Sequence, residues 1–223
     1  MNSSALSLLT GPIKATEMAT VMEIFILLTL LSLGPLVLVT LTSFTRIVIV
    51  LSFLRQALGT QQSPSNQIII ALSLFLSFHV MTPVWQKIEA ESVTPYANRE
   101  ITPEIAFARA WAPLRDFLAK QTRKADLALF MQASTNPSVE ASELPASSLI
   151  PAFVISELKT AFQMAFLVYV PFLVLDLVVA SILMSMGMMF LPPVLVSLPF
   201  KLVLFVLVDG WNLLVGSLLR SFA

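Results

Sequence analysis

Between Ile150 and Trp211 the chain runs for more than sixty residues with only five charged side chains: Glu157, Lys159, Asp176, Lys201 and Asp209. A run of that length must face lipid, fill a packed interior, or do both. Its few charges are costly to bury, so they are the first places to look for function. The same stretch carries a methionine cluster, Met184, Met186, Met188 and Met189, around Gly187.

Composition points the same way. Hydrophobic residues make up 57% of the 223 and charged residues 12%, against about 25% charged in soluble domains. Mean hydropathy is +0.88, which places the chain among membrane proteins. A net charge of zero gives no electrostatic case for a nucleic-acid partner. Cysteine is absent and His79 is the single histidine, which removes thiolate chemistry and leaves no His-based metal site within one chain. None of the six glycines lies in a GxxxxGK or GxGxxG phosphate loop. No catalytic constellation is present, and neither an enzyme nor a cofactor is expected.

The chain divides into an N-terminal arm (residues 1–23), a first apolar helical hairpin (24–83), a polar helical insert (84–149) and a second apolar hairpin (150–223). Residues 1–20 hold one Lys and one Glu and lack the layout of a cleavable secretory signal; the first apolar segment reads as an uncleaved signal anchor. That segment, Ile24–Thr45, is long enough to cross a bilayer. Gly34-Pro35 predicts a kink or break in its middle. Ser63-Pro64 predicts the start of the next helix, and Pro83 its end. The insert holds fifteen of the twenty-six charges. Thr102-Pro103-Glu104 predicts a helix start, and Pro113 predicts a second helix running through Leu114, Phe117, Leu118, Leu127, Phe130 and Met131 at helical spacing. Residues 134–148 read as a loop. Pro171 interrupts the third apolar segment, Pro192-Pro193 ends it in a turn, and a fourth runs from Val194 to Leu219. Hydropathy alone gives four transmembrane helices, while the positive-inside rule gives almost no orientation.

The charges within these segments need partners. Glu157 and Lys159 are two apart and do not face one another on a helix. Lys201 is the natural acceptor for Glu157 or Asp176, and Arg46 has the same problem in the first hairpin. Two readings stand for the acids: ion pairs that fix register, or a proton path through Asp176 or Asp209. Two also stand for the methionines. At i,i+4 and i,i+3 spacings they form two helical stripes beside Gly187, either as adaptable core filler or as a flexible apolar collar able to close around varied polypeptide.

The phrases TSFTRIVIVLSFLRQALGTQQSPSNQIIIALSLFLSF, PLRDFLAKQTRKADLALF, IPAFVISELKTAFQMAFLVYVPFLVLDLVVASILMSMGMMFLPP and LPFKLVLFVLVDGWNLLVGSL resemble the FliP/SctR family of type III export-gate proteins over residues 24–222. The insert phrase TRKADLALF favours the flagellar branch over the injectisome branch. The resemblance implies an all-α, membrane-associated fold of broken apolar helices, with several copies, pentameric by expectation, winding into a helical ring with FliQ and FliR. FlhB and FlhA are expected nearby, lipid on the outside, and unfolded flagellar subunits in the central pore. The gate is expected in the flagellar basal body, on the periplasmic side of the bacterial inner membrane, with the insert periplasmic. Carried over residue by residue, Met186, Met188 and Met189 fall on the family's methionine gasket, and Glu157 and Lys201 on charges that bridge subunits. Arg46 is given a structural role. Phe190 stands where other members often have a further methionine.

Three readings compete with the flagellar gate: an injectisome gate that secretes effectors, a proton-coupled transporter using Asp176 and Asp209, and a scaffold that only nucleates assembly.

Overall fold

Long runs of Leu, Ile, Val, Phe and Ala, punctuated by Gly and Pro, leave the backbone little choice but helix, since each apolar segment must satisfy its own N–H and C=O groups. The computed structural model describes residues 15–60, 62–132 and 145–222, and among them it is all helix with no strand. The order is α1 (Ala15–Thr40), α2 (Phe44–Leu58), α3 (Asn66–Ile88), one π-helical turn (Glu89–Val93), α4 (Thr94–Ala97), α5 (Pro103–Gln121), α6 (Lys124–Gln132), α7 (Ala146–Ser185), α8 (Pro193–Leu207) and α9 (Gly210–Arg220). Most of the expected loop 134–148 lies outside the described residues; its end already belongs to α7.

Residues up to Leu38 form one unit and Val39 onward another. Among its described residues the first unit is the body of α1, whose apolar side chains, Phe25, Leu27 and Leu31 among them, are exposed. The expected break at Gly34-Pro35 does not occur: α1 runs on through Pro35. A proline removes the N–H that would bond the carbonyl four residues earlier, Leu31 here, and its ring crowds that carbonyl; the helix continues past both.

The second unit opens with the last two residues of α1, and the helix breaks just beyond them, at residues 41–43. Hydroxyls take up the backbone groups freed there. Thr45 Oγ1 donates to the Val39 carbonyl at 2.9 Å, and Thr42 Oγ1 accepts the Phe44 N–H at 3.3 Å. Ser43 and Thr42 are then tied to Ser77 of α3 through hydroxyl contacts of 3.1 and 3.2 Å. Helix α2 buries Ile47, Val50, Leu51, Leu54, Ala57 and Leu58, a helical stripe facing the core. It stops at Gly59, which takes φ +77° and returns its N–H to the Gln56 carbonyl at 3.0 Å, a left-handed cap that glycine adopts without a Cβ penalty.

Helix α3 begins two residues later than expected. Ser65, not Ser63, is its cap, with Oγ accepting the Ile68 N–H at 3.4 Å. Nor does Pro83 end it; the helix continues to Ile88, losing only the bond to the His79 carbonyl. Its inward line is Ile69, Ser73, Ser77, Met81 and Val84, and the small serines let α2 approach closely. The π turn that follows is closed by Thr94 N–H bonding the Glu89 carbonyl, the wider i→i+5 spacing of that helix type.

In the insert, α5 starts at Pro103 behind an extended Thr102, as expected. Pro113 opens no second helix: it lies buried inside α5. The break falls instead at Thr122–Arg123. There Ser156 of α7 accepts the Arg123 N–H at 3.0 Å and donates to the Gln121 carbonyl at 3.4 Å, so a tertiary partner absorbs the interrupted ladder. Leu118, Leu149 and Phe153 form a buried cluster with Leu41, joined by Trp111, Leu114, Phe117, Leu127 and Met131. Phe130 is not part of it.

Helix α7 is 40 residues long, or about 60 Å at 1.5 Å per residue, and passes straight through Pro171. The main core gathers along it: Ala161 and Phe172 of α7, the α2 stripe, Ile69, Phe205 of α8, and Leu214, Leu218 and Phe222 at the C-terminal end. The fourth apolar segment is not one helix. Helices α8 and α9 meet at 64°. Among the described residues three helices, α1, α7 and the α3–α4 run, are long and apolar enough to cross a membrane, or up to four if the bent pair counts as one.

Candidate functional site

The methionine cluster does not form helical stripes. Helix α7 ends at Ser185, and residues 186–192 make a turn into α8. The cause is local. Gly187 takes φ +75°, its N–H bonds the Met184 carbonyl at 3.1 Å, and the Met188 N–H bonds the Leu183 carbonyl at 2.9 Å. These are the two reversed bonds of a Schellman cap. Pro192 and Pro193 then start α8, where a missing N–H carries no penalty. Met184, Met186, Met188, Met189 and Leu191 are all exposed, and Phe190 is wholly so. Core filler is therefore excluded within one chain: the fold presents this apolar turn outward instead of packing it.

More than two helical turns back from this turn, α7 and α8 share a charge pair, with Lys201 buried and Asp176 partly so. Lys201 Nζ, on α8, donates to Asp176 Oδ2 of α7 at 2.6 Å and to the Ala57 carbonyl of α2 at 3.0 Å. Ser197 donates its hydroxyl to the other Asp176 oxygen. Of the two acids open to Lys201, the fold chooses Asp176. All the donors and acceptors come from the α2 end, the C-terminal part of α7 and one face of α8, so this pair staples three helices at a point.

Glu157 pairs elsewhere. It is fully buried and receives Arg46 of α2 in a two-pronged contact, Nε to Oε2 at 2.9 Å and Nη2 to Oε1. The guanidinium is saturated around the rest of its rim. Nη2 also donates to Gln121 Oε1 at 3.2 Å, and Nη1 donates to the Ser221 carbonyl and hydroxyl, each at 3.0 Å. The Phe222 ring lies 3.8 Å from its centre. Buried charges persist only when paired and fully hydrogen-bonded, and Arg46 meets both conditions. The resemblance placed Glu157 and Lys201 at bridges between subunits; the single chain already gives each a partner of its own.

Lys159 and Asp209 stand apart from these pairs. Lys159 is half exposed and 3.9 Å from Asp126 of α6, a buried acid whose second oxygen has no partner. Asp209 occupies the left-handed region, φ +50°, at the elbow between α8 and α9, and accepts from Asn212 at 3.1 Å. Asp is one of the few residues that enter this region without large strain. Beside it, a Cβ on Gly210 would stand 2.2–2.8 Å from the Phe205 ring, which packs edge-on against Trp211 and tilted against Phe172. The VDGW phrase is thus the elbow itself. A proton path fares poorly: Asp176 is held by Lys201 and Ser197, and Asp209 sits in a turn away from it.

Sequence reasoning did not single out Gln121, Asp126, Ser197, Ser221 or Phe222. Only Ser197 carried a signal, four residues before Lys201 on one helix face; the others meet their partners through the fold.

Membrane-length apolar helices, ion pairs joining them and an outward apolar turn define, among the described residues, a helical membrane protein. Residues 27–218 match the model of the FliP family. The chain is 50% identical to flagellar biosynthetic protein FliP of Bacillus subtilis (strain 168) over 207 residues, covering 92% of this chain and 94% of that one. It is 53% identical to the proteins of the same name from Pectobacterium carotovorum subsp. carotovorum, covering 90% of this chain and 78% of that one, and Aquifex aeolicus (strain VF5), covering 90% and 85%. The chain belongs to the FliP family.

Proposed function

We propose that this chain is a channel-forming subunit of the flagellar type III export gate, conducting unfolded rod, hook and filament subunits across the inner membrane during flagellum assembly. Family membership supports the flagellar setting. The observation that carries the channel reading is the Met184–Leu191 turn: a contiguous apolar surface exposed at the junction of two apolar helices and fixed there by a backbone cap.

Several copies, five in our reading, pack with FliQ and FliR into a ring, with FlhB and FlhA nearby. Outward residues such as Phe75 and Phe78 of α3, Phe166 and Leu177 of α7, and Phe200 and Val206 of α8 face sister subunits or lipid, because exposed apolar surface of this extent is unfavourable in water. The insert lies on the periplasmic side within the basal body. Turns from successive copies converge, and Met186, Met188 and Met189 close the pore. Unbranched thioethers repack at low cost, so the same collar seals against ions when empty and yields around a passing polypeptide. Glu157 and Lys201 set the register of neighbouring copies through the helices their buried pairs hold.

Replacing Met186, Met188 and Met189 together with Ala is expected to raise ion leak in cells while the gate complex still purifies at its normal size. Leak at background level in that variant removes the gasket assignment.

A further inference from the structure

The thioethers of the turn have a chemistry that packing does not use. Four of them lie within six residues, exposed by 61% at Met184, 62% at Met186, 42% at Met188 and 77% at Met189, whereas Met81 in the core is 1% exposed. Met18 and Met22 are also exposed, on α1, but they form no comparable cluster. The sequence holds no cysteine, so thioether sulfur is the only readily oxidised sulfur in the chain, and this turn concentrates it.

We propose that the Met184–Met189 turn is an oxidation site at which peroxide converts thioether to sulfoxide, reversibly, and in doing so changes the seal. The step balances without a further reactant. A sulfur lone pair attacks one peroxide oxygen, the O–O bond breaks, an S–O bond forms and water leaves. Sulfur is oxidised by two electrons and peroxide reduced by two. Methionine sulfoxide reductases reverse it.

The geometry makes the change one of surface chemistry and not of fold. The bonds that hold the turn are main chain, Met186 to Ile182, Gly187 to Met184 and Met188 to Leu183, with the Ser185 hydroxyl donating to the Ile182 carbonyl. None involves a sulfur. Oxidation therefore leaves the cap intact and replaces a flexible apolar tip by a polar, chiral one. A ring of sulfoxides holds water where thioethers exclude it. The turn as an oxidation site stands on exposure alone; its effect on leak rests on the channel reading above.

The test treats the purified full chain in detergent with hydrogen peroxide and follows each methionine by peptide mass spectrometry. Met184, Met186, Met188 and Met189 are expected to oxidise at least about tenfold faster than Met81, which reacts only through local opening. Equal rates overturn the site. In cells, peroxide is expected to raise leak, reductase overexpression to reverse it, and a variant with all four methionines changed to Leu to ignore it. If peroxide oxidises the turn without raising leak while the Met186, Met188 and Met189 to Ala variant does leak, the redox inference fails and the channel reading stands. If neither leaks, the channel reading fails, while the mass spectrum still decides the oxidation site.

Discussion

Lys201 Nζ lies 2.6 Å from Asp176 Oδ2, and the same nitrogen reaches the Ala57 carbonyl at 3.0 Å. One ammonium group therefore joins α8 to both α7 and α2. Lys201 is buried and Asp176 19% exposed, so removing Asp176 strands a buried charge and costs up to about 3–5 kcal/mol, whereas removing Lys201 leaves a partly solvated carboxylate and costs less. Lys201→Met and Asp176→Leu are each expected to lower the unfolding midpoint in detergent clearly, and the double variant to lose less than their sum, with a coupling of about 1–3 kcal/mol. Additive effects would show that the pair does not act as a unit.

Glu157 and Arg46 give a sharper contrast. Arg46→Lys keeps the charge but not the planar fork, and a Lys cannot serve Glu157, Gln121 and Ser221 together. It is expected to destabilise by about 2 kcal/mol, roughly two lost hydrogen bonds. Arg46→Met with Glu157→Leu is expected to be milder than Glu157→Leu alone, because no charge is left buried without a partner. Thermal unfolding followed by circular dichroism distinguishes the three; a double variant worse than the single would contradict direct pairing.

The two glycines beside the functional elements should both resist substitution, but for different reasons and to different extents. Gly187 has φ +75° and open space around it, so Ala there meets only backbone strain, about 1 kcal/mol. Gly210 is in a helix but faces Phe205 at 2.2–2.8 Å from any added Cβ. Gly210→Ala is expected to cost about 3 kcal/mol through overpacking, with Phe205→Leu in the same chain restoring part of it. If the double variant is no better than Gly210→Ala, the ring is not the obstacle.

Glu104 offers a test of the insert's helix start. The Thr102 hydroxyl, and after it the Glu104 backbone N–H, hold its carboxyl below the ordinary 4.5. A lowered folded value means that its small contribution is fully present above the unfolded value and disappears as pH falls through the folded one. In Thr102→Ala the Glu104 titration, followed by NMR, should move upward toward 4.5. An unmoved titration would show that the hydroxyl is not the cause.

Where helices begin and end was legible only in part. Thr102-Pro103 and Pro192-Pro193 act locally, and both mark helix starts in the fold. Pro35, Pro83, Pro113 and Pro171 were equally visible, yet helices run through all four. A proline forfeits one hydrogen bond; in α3, α5 and α7 burial of the helix face outweighs it, whereas α1, exposed along its length, carries Pro35 on the remaining hydrogen bonds of a 26-residue apolar helix. At Thr122–Arg123 the break needs Ser156 of α7 to receive it, which no local window contains. Likewise the methionine stripes assumed a helix that Gly187 ends.

By itself the sequence determined the helical, lipid-compatible class of this chain, its family, and the few charged residues that had to be paired, because hydrocarbon content and segment length act without regard to the rest of the fold. Only the tertiary structure decided the pairings. Arg46 and Glu157 are 111 residues apart, and Lys201 had two acids open to it. Such a choice rests on which side chains the packed helices carry into the same dry volume, where an unpaired charge is too costly to leave.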